Sequence, residues 1–176
     1  FTKPAVIICN HQSHLDLAPM LALTPKIIVL TADWVWKNPV YRFTIRNAEF
    51  LPASSGMDAI MPQLKSLVER GYSIAVYPEG TRSMDCSIGR FRQGAFHVAQ
   101  TLGIDILPVV IYGTGKALKK RGRLLRKWPV HMEIDRRITP EEMMSRGETT
   151  RRQASQMRKY YQKRYTEIAD RIEQDV

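Results

Sequence analysis

Two short apolar runs, Ala5-Val6-Ile7-Ile8-Cys9 and Ser73-Ile74-Ala75-Val76-Tyr77, constrain this chain more than any other feature. Neither shows the polar–apolar alternation of a strand with one wet face. A strand that is apolar throughout is covered on both sides, which is the situation of a parallel sheet between layers of helix. Each run ends in a polar cluster: Asn10-His11-Gln12-Ser13-His14-Leu15-Asp16 after the first and Glu79-Gly80-Thr81-Arg82-Ser83 after the second. The carboxyl ends of buried strands are where an α/β sheet places its sites.

The rest of the chain supplies elements for such a sheet. Further strands are expected at 27–30, 49–52 and 104–112, and at 130–134, where Val130, Met132 and Ile134 alternate with His131 and Glu133 to predict a half-buried strand. Pro108 inside the third of these predicts a strand end or a bulge, because proline donates no ladder hydrogen bond. Helices are expected at 15–23, at 58–70 with Asp58 as N-cap and Gly71 as terminator, and at 94–102 before Gly103. The stretch 34–46, with Trp34, Trp36, Tyr41, Phe43 and Ile45, is read as a short helix started or broken at Pro39. From Thr149 a long basic helix carries Met157, Tyr161, Tyr165, Ile168 and Ile172 on one stripe. The expected fold is a single α/β domain over 1–176. Its mixed, largely parallel sheet is flanked by helices, with the basic helix of 149–176 packed on it.

At 176 residues the chain is long enough for one substantial core. Cys9 and Cys86 form no framework, which fits a reducing compartment. No run approaches the roughly 18 apolar residues that span a bilayer, and no signal peptide is visible. The chain opens at Phe1, directly on a strand, so a piece of a longer protein is expected, with any membrane anchor outside it. The net charge of +10 is uneven: residues 1–115 hold 10 Lys+Arg against 8 Asp+Glu, and residues 116–176 hold 17 against 9. A basic half attracts a polyanion, whether a lipid surface, a nucleic acid or an acidic carrier protein. The run 116–127, seven basic residues in twelve, reads either as a solvated loop or as a contact surface into which Leu118, Leu124 and Leu125 dip.

His11 and Asp16 are five apart, a spacing that a regular helix does not align but a strand-to-helix turn brings together. Asp16 would then accept the Nδ1 proton of His11 and leave Nε2 free to take a proton near neutral pH. Arg82 can grip a phosphate or carboxylate with two parallel hydrogen bonds, Gly80 lets backbone approach closely, and Thr81 adds a hydroxyl. The alternative for Arg82 is a loop ion pair with Glu79. His14 is either a support for His11 or a solvated turn residue.

The spacing His-x4-Asp followed by Glu-Gly-Thr-Arg resembles the glycerolipid acyltransferases of the lysophosphatidate acyltransferase type. The resemblance covers about residues 10 to 110, and its first and third blocks are the specific ones. It implies a glycerol-3-phosphate acyltransferase-like fold and O-acyl transfer without an acyl-enzyme. His11 would be the general base and Asp16 its support, with Glu79, Gly80, Thr81, Arg82 and Ser83 binding a lyso-lipid acceptor. The donor would be acyl-CoA or acyl-carrier protein, used as co-substrate with no cofactor and no metal. Ser13 fits the family pattern as a turn residue, and Pro108 the weaker fourth block. The second block departs from the pattern: Phe50 matches, but Asn47 and Ala53 stand where a Gly and an Arg are usual. Arg46, Arg90 and Arg92 are candidates to replace that arginine. A lyso-aminolipid therefore stands beside lysophosphatidate as acceptor. The implied location is an anionic membrane surface on the cytoplasmic side, peripheral or anchored by segments outside this chain.

Other readings are weaker. Gly113-Thr114-Gly115-Lys116 hints at a phosphate loop, but Val110 and Ala117 stand where that motif needs Gly and Ser or Thr. Cys86 carries no mark of a nucleophile. Charge alone raises nucleic-acid binding, for which no motif is present. An idle lipid- or carrier-binding module of a larger protein is the remaining alternative.

Overall fold

The computed structural model describes residues 3–31, 49–52 and 56–174. Among them, six strands form one sheet: β1 Ala5–Cys9, β2 Ile27–Thr31, β3 Glu49–Pro52, β4 Ser73–Val76, β5 Asp105–Tyr112 and β6 His131–Ile134. The order is β3-β2-β4-β1-β5-β6. The first five strands in that order run parallel, and β6 pairs antiparallel with β5. The helices are α1 Leu17–Leu21, α2 Met57–Glu69, α3 Gly94–Leu102, α4 Thr114–Ala117, α5 Pro140–Arg146 and α6 Thr150–Glu173. This is the mixed, mostly parallel α/β sheet that the apolar runs predict.

The strand period of two divides the core between the faces. Val6, Ile8, Ile74, Val76 and Val110 face one side, against Leu64 of α2, Phe96 of α3 and Met157 and Tyr161 of α6. Ala5, Ile7, Cys9, Ala75, Val109 and Ile111 face the other, with Met20 of α1 and the partly buried Leu17 and Tyr77. Val6, Ile7 and Ile8 are fully buried, each worth roughly 1.5–3 kcal/mol relative to exposure. That explains why β1 runs through the middle of the sheet and why its end is a rigid place for a site.

Pro108 is neither a strand end nor a bulge. The register runs unbroken from Ala5↔Asp105 to Cys9↔Val109, with Ile8 opposite Pro108. The Tyr161 hydroxyl enters the ladder there, donating to the Ile8 carbonyl and accepting from the Val109 N–H. A side chain from α6 thus closes the gap that the missing proline N–H would leave.

Three other expectations change. Helix α2 begins at Met57 with Gly56 as its N-cap (φ 86°), not at Asp58. Residues 140–146 form a helix that the apolar pattern does not reveal; its signal is the box Thr139-Pro140-Glu141-Glu142, in which Thr139 and Glu142 cap one another. Strand β6 is the half-buried edge strand that the alternation predicts only at Met132, which packs against the core; Ile134, and Val130 just before the strand, are half exposed. Glu133 points instead to α6, pairing with Arg164 (2.7 Å) and with Arg171. The helix expected over 34–46, and with it Trp34, Trp36 and Arg46, lies outside the described residues, as do Asn47 and Ala53. Phe50 lies in β3 by its backbone, but its side chain is not among those described.

Candidate functional site

The end of β1 is fixed to its neighbour by Asn10. Its buried amide donates to the Ile111 carbonyl and accepts from the Ile111 N–H, both at 2.8 Å, so the side chain continues the β1–β5 pairing past the last strand residue. The chain then turns. Ser13 caps a 3₁₀ turn, His14–Asp16, through a reciprocal box: its hydroxyl accepts from the Leu15 N–H, and its own N–H donates to Asp16 Oδ2 at 2.8 Å. Ser13 Oγ also donates to the Leu118 carbonyl at 2.9 Å.

That turn brings His11 and Asp16 together. His11 Nδ1 lies 2.8 Å from Asp16 Oδ2, and the Gln12 N–H donates to the same oxygen at 2.7 Å. An ionised carboxylate accepts only, and against it Nδ1 would carry the proton and leave Nε2 as an acceptor. Asp16 is wholly buried, and its Oδ1 has no hydrogen-bond partner among the described residues. The His11 ring stacks on Tyr77, with centroids 4.2 Å apart and planes 23° from parallel. Tyr77 follows β4 directly and gives the imidazole a flat apolar wall; its sequence position gives no hint of that partnership.

The Glu79 segment lies against this pair. Glu79 is turned inward: Oε1 accepts from the His11 N–H and Oε2 from the Gly89 N–H, each at 2.8 Å. Burial pushes its carboxyl up, while those two amides oppose the rise. The Ser83 N–H donates to the His11 carbonyl at 2.8 Å, so the two loops are stitched at backbone level. Arg82 does not pair with Glu79. It donates to the Lys120 carbonyl at 3.3 Å, and Lys120 Nζ returns bonds to Thr81 Oγ1 (3.0 Å) and the Arg82 carbonyl (2.7 Å). Lys120, from the run expected to be solvent or contact surface, therefore fixes the loop. Burial first, and then the charges of Arg82 and His11, push His14 down from the usual histidine range, against an opposing pull from Asp16.

Gly80 has φ +68°, and a Cβ there would stand 2.7 Å from the Arg92 guanidinium. Arg92 thus lies directly on the Glu-Gly-Thr-Arg loop, and Arg90 and Arg92 line a cleft with Thr81, Arg82 and Ser83. Gly115 of the failed phosphate loop has a packing reason, since a Cβ would meet Cys86 Sγ at 2.7 Å and Gln12 at 3.0 Å. Burial pushes the Cys86 thiol up, against a thiolate role. Gln12 is held by Tyr165 of α6, whose hydroxyl donates to Oε1 at 3.0 Å. Among the described residues no group of three or more His, Cys, Asp or Glu is placed to hold a metal ion, and no helix is long and apolar enough to cross a membrane.

The family model described as Acyltransferase matches residues 2–112, well over half of the sequence. The chain belongs to the Acyltransferase family. Within the family it is 32% identical over 120 residues to the chloroplastic 1-acyl-sn-glycerol-3-phosphate acyltransferase of Arabidopsis thaliana, covering 65% of this chain and 33% of that protein. It is 32% identical over 116 residues to 1-acyl-sn-glycerol-3-phosphate acyltransferase alpha of Mus musculus, covering 62% and 41%. The chain therefore spans less than half the length of these relatives. The crystal structure of the 1-acyl-sn-glycerophosphate (LPA) acyltransferase PlsC from Thermotoga maritima shares the fold, with a TM-score of 0.74 and 22% identity over 98% of this chain and 67% of that one. The matched segment ends at β5, so the 116–127 loop, α5 and α6 of this family member lie beyond it.

Proposed function

We propose that this acyltransferase domain moves a fatty acyl group from a thioester to the hydroxyl of a lyso-lipid, with His11 as general base. The observation that carries the reading is the 2.8 Å contact of His11 Nδ1 with the wholly buried Asp16 carboxylate, beside an arginine-bearing loop. Asp16 holds the imidazole in the tautomer whose Nε2 can accept a proton. The acceptor hydroxyl gives its proton to Nε2 as its oxygen bonds to the thioester carbonyl carbon. The C–S bond then breaks, the thiolate takes the proton from Nε2, and His11 returns to its neutral state. Asp16 stabilises the transient imidazolium. No step calls on a cofactor or a metal. Arg82, whose charge reaches His14 and Asp16, receives the acceptor's polar head with Thr81 and Ser83, while Gly80 leaves room for the Arg92 guanidinium. Glu79 serves by tying the His11 backbone to the 79–92 loop.

The relatives' names support lysophosphatidate as the acceptor, and Ala53, in place of the usual arginine, keeps a lyso-aminolipid beside it. Leu124 and Leu125 are 80% and 71% exposed among Arg123, Arg126 and Lys127. Such a loop suits the anionic, cytoplasm-facing leaflet of a membrane, where basic residues meet headgroups and leucines enter the interface. The test is acyl transfer by wild type and His11→Ala, with a panel of lyso-lipids and both acyl-CoA and acyl-carrier-protein donors. Transfer by wild type that is lost in His11→Ala supports the reading. Equal rates in both proteins end it and leave a binding module.

A further inference from the structure

A cleft of ≈ 950 Å³ lies between the 83–93 loop and the first half of α6. Arg82, Arg90, Arg92, Arg151 and Arg158 all line it, whereas His11 does not. Phe91 and Ala154, which line the cleft, belong to the core on the α6 face of the sheet. Tyr77, on which His11 stacks, packs with the core on the opposite face. The segment from Glu79 to Ser83 borders both the cleft and the His11 loop, since Glu79 accepts from the His11 N–H and the Ser83 N–H donates to the His11 carbonyl, while His11 itself does not line the cleft.

Arg158 donates through Nε to the Ile88 carbonyl at 3.4 Å, and Arg82 to the Lys120 carbonyl at 3.3 Å, so among the described residues neither is held by a carboxylate. Arg136, Arg137, Arg164 and Arg171 each pair with a carboxylate, but among the described residues the guanidinium groups of Arg90, Arg92 and Arg151 have no such partner. The carboxylates in the cleft are already engaged. Asp85 accepts from the Ser83 hydroxyl (3.0 Å) and from the hydroxyl (2.6 Å) and N–H (3.0 Å) of Ser87, and Glu79 is held by two backbone amides. The result is a concave site with excess positive charge, which concentrates anions at its mouth.

We propose that Arg90, Arg92, Arg151 and Arg158 bind the phosphates at the nucleotide end of a coenzyme A thioester, making this cleft the donor site. The inference rests on the acyl-transfer reading and names its donor. Four guanidinium forks exceed what one phosphate monoester can engage, but match a ligand with a 3′-phosphate and a diphosphate. The acceptor's phosphate fits the far end of the cleft poorly, because in lysophosphatidate it is carried by the carbon next to the attacked hydroxyl's and must lie close to His11, which does not line the cleft. The flexible arm between nucleotide and thioester allows the carbonyl to reach round Arg82 to His11. Arg151 and Arg158 lie outside the segment that the family model matches, so donor choice becomes a property of α6.

The experiment reads binding without turnover. Calorimetric titration with adenosine 3′,5′-bisphosphate is expected to show saturable binding to wild type and to His11→Ala, with inorganic phosphate and glycerol 3-phosphate far weaker. Arg151→Ala and Arg158→Ala should each weaken it about tenfold, as loss of one charge-assisted pair does. Lys159→Ala, an exposed charge on the same helix outside the cleft, should leave it unchanged. In transfer assays the arginine variants should raise KM for acyl-CoA and not for the lyso-lipid. The proposal is overturned if the bisphosphate does not bind, if Lys159→Ala matters as much as Arg151→Ala, or if glycerol 3-phosphate binds more tightly and the acceptor KM moves instead. Transfer that proceeds from a carrier-protein donor but not from acyl-CoA also overturns it. Because His11→Ala should bind the nucleotide but fail in turnover, a failed base assignment and a failed cleft assignment give different results.

Discussion

Asp16→Asn is the sharpest test of the proposed dyad, because one carboxylate oxygen serves three donors. Oδ2 accepts from His11 Nδ1 and from the Gln12 and Ser13 amides at 2.7–2.8 Å, in a wholly buried position. Asparagine keeps the shape and one acceptor oxygen but removes the charge. Hydrogen bonds to a charged acceptor are worth about 1.5–3 kcal/mol and neutral ones about 0.5–1.5 kcal/mol, so three bonds weaken by roughly 1 kcal/mol each. Relief of a buried charge offsets part of this, leaving an expected stability loss of about 1–3 kcal/mol. The new amino group falls where Oδ1 now lacks a partner, so it gains little in exchange. Activity should suffer more than stability. Without the carboxylate the imidazolium loses its counter-charge and Nε2 its enforced acceptor role, and general-base catalysis is worth about 10²–10⁴ in rate. Thiol release from acyl-CoA, followed colorimetrically at a temperature where urea titration shows the variant folded, should therefore fall by about 10² or more. A folded Asp16→Asn protein within about threefold of wild type would refute the argument that Asp16 holds a base.

Three further outcomes follow from other features. Tyr161→Phe removes the hydroxyl that joins the Ile8 carbonyl to the Val109 N–H, and should cost about 1–3 kcal/mol in urea unfolding with an unchanged m-value; no loss would mean the Pro108 gap needs no filling. Burial raises the Glu79 carboxyl above its ordinary 4.5, so the folded state holds that proton more tightly than the unfolded one. Its contribution to stability is complete below about 4.5 and is lost as pH rises through the higher folded value; the stability of wild type relative to Glu79→Gln should fall over that window, and a rise would reverse the assignment. The paired change Leu124→Glu/Leu125→Glu should leave the melting temperature unaltered, because both side chains are exposed, yet lower binding to phosphatidylserine vesicles by about tenfold or more, since each buried leucine is worth about 1.5–3 kcal/mol. Unchanged partitioning would remove the loop from the membrane contact.

The sheet was legible because β1 is apolar at every position and β4 at all but Ser73, a pattern with few structural solutions. The His11–Asp16 contact was legible from spacing, because Ser13 and Asp16 carry the polar groups of a capped turn. What was hidden depends on distant partners. Pro108 looked like a breaker because nothing near it in sequence reveals Tyr161, 53 positions away in number and adjacent in space. Tyr77 looked like a strand residue, and its stacking on His11 follows from the parallel pairing of β1 with β4. Arg151 and Arg158 were lost in the charge of a basic helix, since a one-dimensional charge run does not show which members converge on Arg90 and Arg92. Helix α5 escaped because its evidence is a cap rather than an apolar stripe.

The turn from Ser13 to Asp16 has one more consequence. The group proposed to move the proton and the group that steadies it sit within six consecutive positions, on a cap that closes on itself. The pieces that would grip substrates come from elsewhere: the loop after β4 and a helix near the far terminus. Such a division separates chemistry from selectivity. Exchanging α6 or the 83–93 loop between relatives should retarget the domain while the proton-transfer unit is carried along intact, which makes this scaffold a natural starting point for altering which lipids it joins.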